Sequence, residues 1–328
     1  MTTADGFHAV GPIAAGGGGE LGADSLFRLA SMTKPITTLG ALRLVRLGEL
    51  DLDAAVAHYV PEFARLQVLE GFDENEPRLR APKAQATVRQ LLTHTSGLGY
   101  WFQNPLLLKW RRVHGTGTKA ALLEEPLVSD PGTRFEYGLS TDWLGQVIES
   151  VAGQPLDVYL DQHVLTPLYM HDTTFHPTDE QRERLVPVHA RDEHGAWRPT
   201  DQDWAQDPDW HAGGHGLYST PNDYLRLQRA LLDTSDPVLE QAFTPQVPFP
   251  AHVASAHRSA EDLSLGPGYS WGLATLVKQP QTGGWMGIYN TFFWVDRNVG
   301  RTAALYTQTQ PFADPAILDL AHAVNALA

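Results

Sequence analysis

The sequence predicts an α/β (α+β) fold in which an antiparallel sheet, flanked by helices, carries an inserted and mainly helical lobe. Three observations lead to this prediction: one strand-like segment opens the chain, helical periodicity dominates its middle, and β-rich segments precede a closing helix. This order fits a helical lobe inserted into an α/β lobe. We therefore assign residues 1–25 and 265–328 to the sheet lobe and residues 26–264 to the helical lobe, within a single unit.

Length and composition limit the class of protein. The 328 residues can bury a sizeable core, and 42% hydrophobic with 19% charged residues is ordinary for a soluble globular chain. The net charge of −14 repels phosphate backbones, so we expect no nucleic-acid partner. The chain has no cysteine, which excludes disulfides and thiolate chemistry. No apolar run approaches the about 18 residues of a membrane span. Since no signal-peptide pattern opens the chain, we expect a cytoplasmic protein.

The first elements are a strand and a helix. Residues 7–15 predict a short strand, followed by a glycine-rich turn. A helix is predicted from about Met32 to Leu47, with Gly48 ending it. Its apolar positions recur every three residues: Ile36, Leu39, Leu42 and Val45. The charged, proline-bearing residues 70–87 predict a surface excursion.

Helices dominate the middle of the chain. Residues 87–98 predict a short helix running into a glycine turn, and residues 101–130 predict an irregular rim. Three stretches combine apolar periodicity with capping residues: 140–153, 155–168 and 220–233. Ser140 or Thr141 can cap the first of them, and residues 172–212 predict loops and short strands.

The C-terminal part changes character. Residues 269–277, 290–297 and 301–309 are β-rich, and "DRNVG" joins the second and third of these segments as a hairpin turn. Residues 315–328 predict a closing helix.

The most informative stretch is "FRLASMTKPITTLGALRLVRLGEL", residues 27–50. Ser31 and Lys34 are three residues apart, so they share one face of a helix whose first turn tolerates Pro35. The free N–H groups of a helix start favour developing negative charge, and a desolvated lysine can act as a base for a serine nucleophile. The alternative is a serine cap beside an exposed lysine, because an S-x-x-K tetrad occurs by chance about once in such a chain.

This stretch resembles the nucleophile helix of the serine β-lactamase and penicillin-binding-protein superfamily. It most resembles the class C β-lactamase-like branch, which includes the family VIII carboxylesterases. Further runs resemble the family in the expected order: 91–98 ("LLTHTSGL"), 130–175, 213–227 and 284–300. The resemblance implies a β-lactamase/transpeptidase-like fold with the active site between the lobes. Family members carry several dozen residues ahead of the nucleophile helix, so we expect an N-terminally shortened sheet.

The resemblance also implies roles for individual residues. Ser31 would be the nucleophile, Lys34 would activate it, and Tyr137 would help to pass the serine proton to the leaving group. Whether lysine or tyrosine is the base is left open, and the alternative for Tyr137 is a tyrosine at the edge of the core. The second motif of the family, Tyr-x-Asn, falls on Tyr137, Gly138 and Leu139. Leu139 stands in the substrate-binding position where β-lactam-binding members carry the asparagine, which favours an ester substrate.

The third motif of the family would lie near the end of the chain. It falls on the triplet Trp285, Met286 and Gly287. The alternative register is 282–284. The N–H of Ile288 would join that of Ser31 in an oxyanion hole, and the motif's glycine would let an acyl group lie close to the strand. The motif's tryptophan offers no cation to a β-lactam carboxylate, which favours a neutral ester; the alternative is an ordinary core tryptophan.

The histidines predict no metal site, since no carboxylate stands beside them at a metal-binding spacing. His94 is predicted to bond the backbone, and His211 and His215 to line the pocket or its loop, with His215 among the substrate-binding residues. No phosphate-binding glycine loop is present, so we expect no cofactor.

Together these patterns predict a serine hydrolase, a carboxylesterase that cleaves small or medium neutral esters through an acyl-Ser31 intermediate. Its partner would be a small-molecule ester, and the oligomeric state is left open. The first alternative is a β-lactamase or D-alanyl-D-alanine carboxypeptidase. A catalytically inactive binding protein on the same fold is an alternative of another class, and transesterification by a synthase-like enzyme is a third.

Overall fold

A computed structural model describes residues 21–115, 123–202, 210–248, 252–253, 263–264, 269–273 and 275–325. The strand predicted at residues 7–15 lies outside them. Ten α-helices are described: α1 Lys34–Leu47, α2 Val56–Tyr59, α3 Val88–Leu92, α4 Pro105–His114, α5 Ser140–Ala152, α6 Leu156–Leu160, α7 Asp179–Glu183, α8 Pro221–Leu231, α9 Pro237–Glu240 and α10 Pro315–Asn325. Three short 3₁₀-helices (Ala30–Thr33, Pro61–Arg65, Gln241–Phe243) and a π-helix (Asp161–Leu165) accompany them.

The strands in the described residues are β1 Phe27–Arg28, β2 Val68–Asp73, β3 Glu76–Arg80, β4 His189–Arg191, β5 Trp197–Pro199, β6 Tyr218–Ser219, β7 His252–Val253, β8 Leu263–Ser264, β9 Ser270–Trp271, β10 Leu276–Val277, β11 Thr282–Gly287, β12 Thr291–Asp296, β13 Arg301–Leu305 and β14 Thr309–Gln310. The largest sheet has five antiparallel strands in the order β13-β12-β11-β10-β9. Smaller sheets pair β1 with β6, β2 with β3 and β7 with β8, and β14 joins β4 and β5.

The C-terminal meander confirms the predicted hairpin between β12 and β13. The segment 269–277, predicted to be β-rich, contains two short strands, β9 and β10, which pair with each other with Trp271 opposite Leu276. Gly272 directly follows β9, and a Cβ atom there would collide with the carbonyl oxygen of Ala242. Only glycine permits the backbones to come this close.

Two other segments are more regular than the sequence indicates. Residues 70–87 contain most of the β2–β3 hairpin, whose first strand buries Val68 and Leu69. Residues 101–130 contain α4, which Asn104 caps by accepting a hydrogen bond from the Leu106 N–H. An Asn-Pro pair at a helix start is a capping signal that the irregular composition concealed.

Helix α1 carries the start of the functional site and packs against α5 in the main hydrophobic core. It ends as predicted at Gly48, which is left-handed with φ 72°. The predicted cap of α5 by Ser140 or Thr141 is wrong. Leu139 is the N-cap residue without a side-chain bond, and the Ser140 hydroxyl pairs instead with that of Ser96 at 2.9 Å. The serine is therefore used to hold α5 against the turn that follows α3.

In the described part of the chain, no helix combines the length and the apolar composition needed to cross a bilayer. The predicted boundary between a sheet lobe and a helical lobe stays a prediction. The five-stranded sheet lies within residues 270–305, and α10 contacts its edge strand β13.

Candidate active site

The serine of the S-x-x-K tetrad lies in the 3₁₀-helix Ala30–Thr33, between β1 and α1. Ala30 has a left-handed backbone with φ 48°, a conformation that costs a non-glycine residue about 1 kcal/mol. Ala30 and Met32 are buried, whereas Ser31 is half-buried. The strained turn therefore exposes the serine and buries its neighbours. Backbone strain of this kind is concentrated at functional sites.

Lys34 is the first residue of α1 and is only 1% exposed. Its Nζ donates to the carbonyl oxygen of Gly214 at 2.8 Å and lies 3.1 Å from the Tyr100 hydroxyl and 3.2 Å from Ser31 Oγ. Three partners match the three donors of an ammonium group. In the neutral amine, the lone pair can instead receive the Ser31 proton. The same geometry thus serves both protonation states.

Side chains of the α1 region hold the loop that faces this lysine. Thr37 Oγ1 donates to the carbonyl oxygen of Gly213 at 2.7 Å, and Thr33 Oγ1 accepts from the Leu217 N–H at 3.1 Å. Lys34 and Thr37 are one helical turn apart, so they bond consecutive carbonyls of the loop. A Cβ at Gly214 would collide with the carboxylate of Asp142, so glycine is needed there.

Asp142 on α5 is a buried carboxylate with 0% exposure. Its Oδ1 accepts the Gly214 N–H at 3.0 Å and lies 3.4 Å from Nδ1 of His215. Burial by itself raises the pKa of Asp142, but the charge and hydrogen bond of His215 and the charge of Lys34 outweigh it and lower that pKa. The carboxylate therefore stays ionised and fixes the loop carbonyl to which the lysine is bonded.

A hydrogen bond between Tyr137 and Trp285 connects the second motif to the third. The indole N–H of Trp285 donates to the Tyr137 hydroxyl at 2.9 Å, and their rings are 5.0 Å apart. Lys34 Nζ lies 4.8 Å from the centre of the Tyr137 ring, within the range of a cation–π contact. The structure thus brings Ser31, Lys34 and Tyr137 to one place, with the ammonium over the face of the phenol ring.

Tyr100 is a site residue that the sequence analysis missed. Burial first, and then the negative charge of Asp142, raise the pKa of Tyr100 well above its usual value. Its phenol stays protonated at neutral pH and sits 3.1 Å from Lys34 Nζ. The sequence gives only a weak indication that Tyr100 belongs to the site. The residue directly follows a glycine turn, and the site residue that it contacts, Lys34, is far from it in sequence.

His94 bonds the backbone, as predicted. Its Nδ1 accepts the Gly138 N–H at 3.4 Å, which ties the second motif to the glycine turn after α3. Burial first, and then the positive charge of Lys34, hold the pKa of His94 well below its usual value. The imidazole is therefore neutral and serves as an acceptor.

The end of β11 lies against the nucleophile turn. A Cβ at Gly287 would collide with the Thr291 hydroxyl, and it would come 2.5 Å from the Leu29 carbonyl oxygen and 3.3 Å from the Ala30 Cβ. The space beside this glycine is thus occupied by Thr291 and by the turn that carries Ser31, and contact of the glycine with an acyl group stays a prediction. Ile288 comes directly after the last paired residue of the strand and is 39% exposed.

The oxyanion hole predicted from the N–H groups of Ser31 and Ile288 stays a prediction; their chain neighbours Ala30 and Gly287 lie close together. Ser31 stands in the first turn of its 3₁₀-helix, where an N–H has no intrahelical acceptor. The alternative motif register 282–284 lies toward the far end of β11. Gly284 is three residues from Gly287, or about 10 Å along a strand. The geometry favours the register that includes Trp285.

The other predicted site residues do not contact Ser31 or Lys34 in the hydrogen bonds described above. Leu139 is 2% exposed and belongs to the hydrophobic core, so its side chain offers no surface to a substrate. Met286 is half-buried and packs against the same core. His215 stands beside Asp142. His211 lies in a separate cluster, with its Nε2 2.9 Å from that of His176.

A buried lysine aimed at a half-buried serine, beside the end of the central strand β11 of an antiparallel sheet, defines a serine hydrolase. The family described as Beta-lactamase matches residues 7–328, and the chain belongs to this family. Lovastatin esterase from Penicillium rubens is 34% identical over 291 residues, which are 80% of this chain and 72% of the relative. Esterase EstB from Burkholderia gladioli is 33% identical over 343 residues, covering 92% of this chain and 83% of the relative.

A solved structure of simvastatin synthase from Aspergillus terreus, the LovD6 mutant, matches with a TM-score of 0.81 at 28% identity. The match covers 94% of this chain and 81% of that one. These similarities confirm the predicted family and the β-lactamase/transpeptidase-like fold.

Proposed function

We propose that the protein is a carboxylesterase that cleaves small or medium neutral esters through transient acylation of Ser31. The observation that carries the proposal is the buried Lys34 amine, 3.2 Å from Ser31 Oγ. The names of two relatives, lovastatin esterase and esterase EstB, support an ester as the substrate.

In the first half-reaction, Ser31 Oγ attacks the ester carbonyl carbon, and the carbonyl π electrons move onto oxygen. The serine proton passes to Lys34 Nζ or to the Tyr137 oxygen, the two candidate bases. The N–H groups of Ser31 and Ile288 stabilise the oxyanion. The carbon–oxygen bond to the alcohol then breaks, and the alcohol leaves with the proton.

In the second half-reaction, water attacks the acyl carbon of acyl-Ser31 and gives its proton to the same base. The carbon–Oγ bond breaks, Ser31 recovers a proton, and the carboxylic acid leaves. Gly214 and Tyr100 fix the lysine from two sides at 2.8 and 3.1 Å, so its third partner is the serine. This fixed position supports proton transfer without rearrangement of the lysine.

The hydrogen bond from Trp285 supports a proton-transfer role for Tyr137. An N–H that donates to the phenol oxygen stabilises negative charge there, and it leaves the phenol's own proton free to point elsewhere. Trp285 carries no charge and its indole N–H already donates to Tyr137 at 2.9 Å, so it offers neither a cation nor this donor to a substrate carboxylate. This favours a neutral ester over a β-lactam or a peptide terminus.

A cavity of about 390 Å³ opens beside Ile288, in the size range of small-molecule sites. Ile288, Pro311 and Phe312 contribute apolar walls. The cation of Arg191 also lines it, but that guanidinium is paired with Asp314 at 2.9 Å and stacks on a tryptophan. The compensated charge and the apolar walls support a neutral acyl or alcohol group in this cavity.

Acyl transfer to an alcohol is the second candidate function. The similarity to simvastatin synthase favours it, since an acyl-serine can react with an alcohol as well as with water. Hydrolysis in the presence of a soluble alcohol separates the two functions: a transferase forms the new ester at the expense of the free acid.

Hydrolysis of p-nitrophenyl butyrate by the parent, Ser31→Ala and Ser235→Ala tests the proposal. Ser235 lies in an exposed loop and serves as the matched control. We expect turnover by the parent and the control and none by Ser31→Ala. Equal turnover by all three proteins, or none by the parent, contradicts the proposal for simple esters. Faster turnover of nitrocefin than of the ester would indicate a β-lactamase.

A further inference from the structure

A second cluster of reactive side chains lies apart from Ser31 and comes from three separate segments. Asp157 is on α6, His176 follows a loop, and His211 precedes the loop that bonds Lys34. The Nε2 atoms of the two histidines are 2.9 Å apart, and His211 Nε2 is 3.4 Å from Asp157 Oδ2. All three ligand atoms lie within 4.8 Å of one another.

These distances match the spacing of ligands around one metal ion. Zinc–ligand bonds of about 2.0–2.1 Å in a tetrahedron put neighbouring ligand atoms about 3.3 Å apart. The two measured separations, 2.9 and 3.4 Å, lie on either side of this value. The two imidazole nitrogens face each other at a distance that allows one shared proton or one shared cation.

The carboxylate supplies an independent observation. Oδ1 of Asp157 is buried and has no hydrogen-bond partner among the described residues. A buried carboxylate oxygen without a partner is costly, and a bound cation removes that cost. A cavity of about 410 Å³ borders Asp157 and His176, so an ion and its water can reach the cluster from solvent.

We propose that Asp157, His176 and His211 bind one divalent transition-metal ion, with zinc as the best fit and a water molecule as the fourth ligand. Two imidazoles and one carboxylate suit zinc, whereas magnesium and calcium prefer an all-oxygen shell. The site spans α6, the segment after residue 170 and the segment before Gly213, so the ion ties three parts of the fold together.

The place of His211 gives the ion a structural consequence. His211 is three residues before Gly214, whose carbonyl oxygen accepts from Lys34 at 2.8 Å. Thr37 bonds the carbonyl of Gly213 in the same loop. The metal therefore links this loop to α6, in addition to the hydrogen bonds that the loop receives from α1. This proposal does not depend on the esterase activity, because the ion touches neither Ser31 nor Lys34.

Zinc titration of the chelator-treated protein tests the proposal, by calorimetry and by competition with a chromophoric chelator. The variants are His176→Ala and Asp157→Asn, and the control is His194→Ala, which removes a surface imidazole that is 82% exposed. We expect one zinc ion per chain in the parent and the control. Removal of a ligand should weaken binding about 10²-fold or more, since loss of even an outer partner costs 10- to 100-fold.

Thermal unfolding supplies a second readout. Zinc should raise the melting temperature of the parent and of His194→Ala but not that of His176→Ala. His176 is exposed, so its removal leaves the apo fold intact, which circular dichroism checks. Magnesium at millimolar concentration should not compete. The proposal is overturned if the parent binds no stoichiometric zinc, or if His176→Ala binds it as tightly as the parent.

Discussion

Substitution of Gly287 by alanine is the sharpest test of the site geometry. The new Cβ would stand 2.5 Å from the Leu29 carbonyl oxygen, and ordinary contact begins at about 3.4 Å. The end of β11 must therefore retreat from the nucleophile turn by about 1 Å, a misplacement that can cost about 10²-fold in rate. Since the Ile288 N–H moves with the strand, loss of this oxyanion donor alone predicts a fall in kcat of about 10²–10³-fold.

The assay is steady-state hydrolysis of p-nitrophenyl butyrate, with kcat and KM determined separately. The loss should appear in kcat with KM little changed, because the donor acts mainly in the transition state. Gly22→Ala is the matched control, since a Cβ there meets nothing closer than 3.9 Å. A Gly287→Ala enzyme that stays folded with kcat within about threefold of the parent would refute this account of the oxyanion hole.

Three further outcomes follow from the contacts around Lys34. Tyr137→Phe should lower kcat by about 10²–10⁴-fold, as expected for a proton-transfer group. Tyr100→Phe loses one hydrogen bond and should lower kcat only about tenfold. Both variants are measured by hydrolysis of p-nitrophenyl butyrate. Thr37→Val should lower the free energy of unfolding by about 1 kcal/mol in urea titrations, because it removes the 2.7 Å bond to the loop. The pKa of His94 is lowered in the folded protein, so below pH about 6.5 this histidine is protonated in the unfolded chain but stays neutral in the folded one. The free energy of unfolding therefore falls as the pH decreases. In His94→Asn, thermal unfolding should show a shallower fall of stability with decreasing pH.

Local patterns predicted the parts of the fold that local physics decides. Gly48 ends α1 because glycine tolerates a left-handed backbone, and the β12–β13 hairpin follows from two β-rich runs joined by a turn. Ser31 and Lys34 could be paired from their spacing alone, since residues three apart share a helix face. These predictions needed no knowledge of tertiary contacts.

The remaining site residues depend on contacts between distant segments. Asp142 looks like an ordinary helix residue, and only the approach of the Gly214 loop makes it a buried anchor. Tyr100 reaches Lys34 across 66 positions of sequence. The sequence predicted no metal site because no carboxylate stands beside the histidines at a metal-binding spacing, whereas Asp157 comes from the distant helix α6. Spacing rules relate residues within one helix or strand, so they do not predict which distant segments meet in the fold.

The glycine of the third motif shows a further limit. A glycine in the sequence signals a close approach, but it does not say what approaches. At Gly287 the neighbours are the Thr291 hydroxyl and the Leu29 carbonyl oxygen of the nucleophile turn. Close packing explains why a glycine is needed at position 287, whereas its predicted role beside an acyl group stays a prediction.

The central claim is that Ser31 carries the acyl group during turnover. Its most direct test is to mix the protein with p-nitrophenyl butyrate, quench the reaction in acid during turnover, and map the butyryl adduct by peptide mass spectrometry. The account predicts the adduct on the peptide that contains Ser31, and neither adduct nor turnover in Ser31→Ala. An adduct on another residue, or undiminished hydrolysis by Ser31→Ala, would contradict the account.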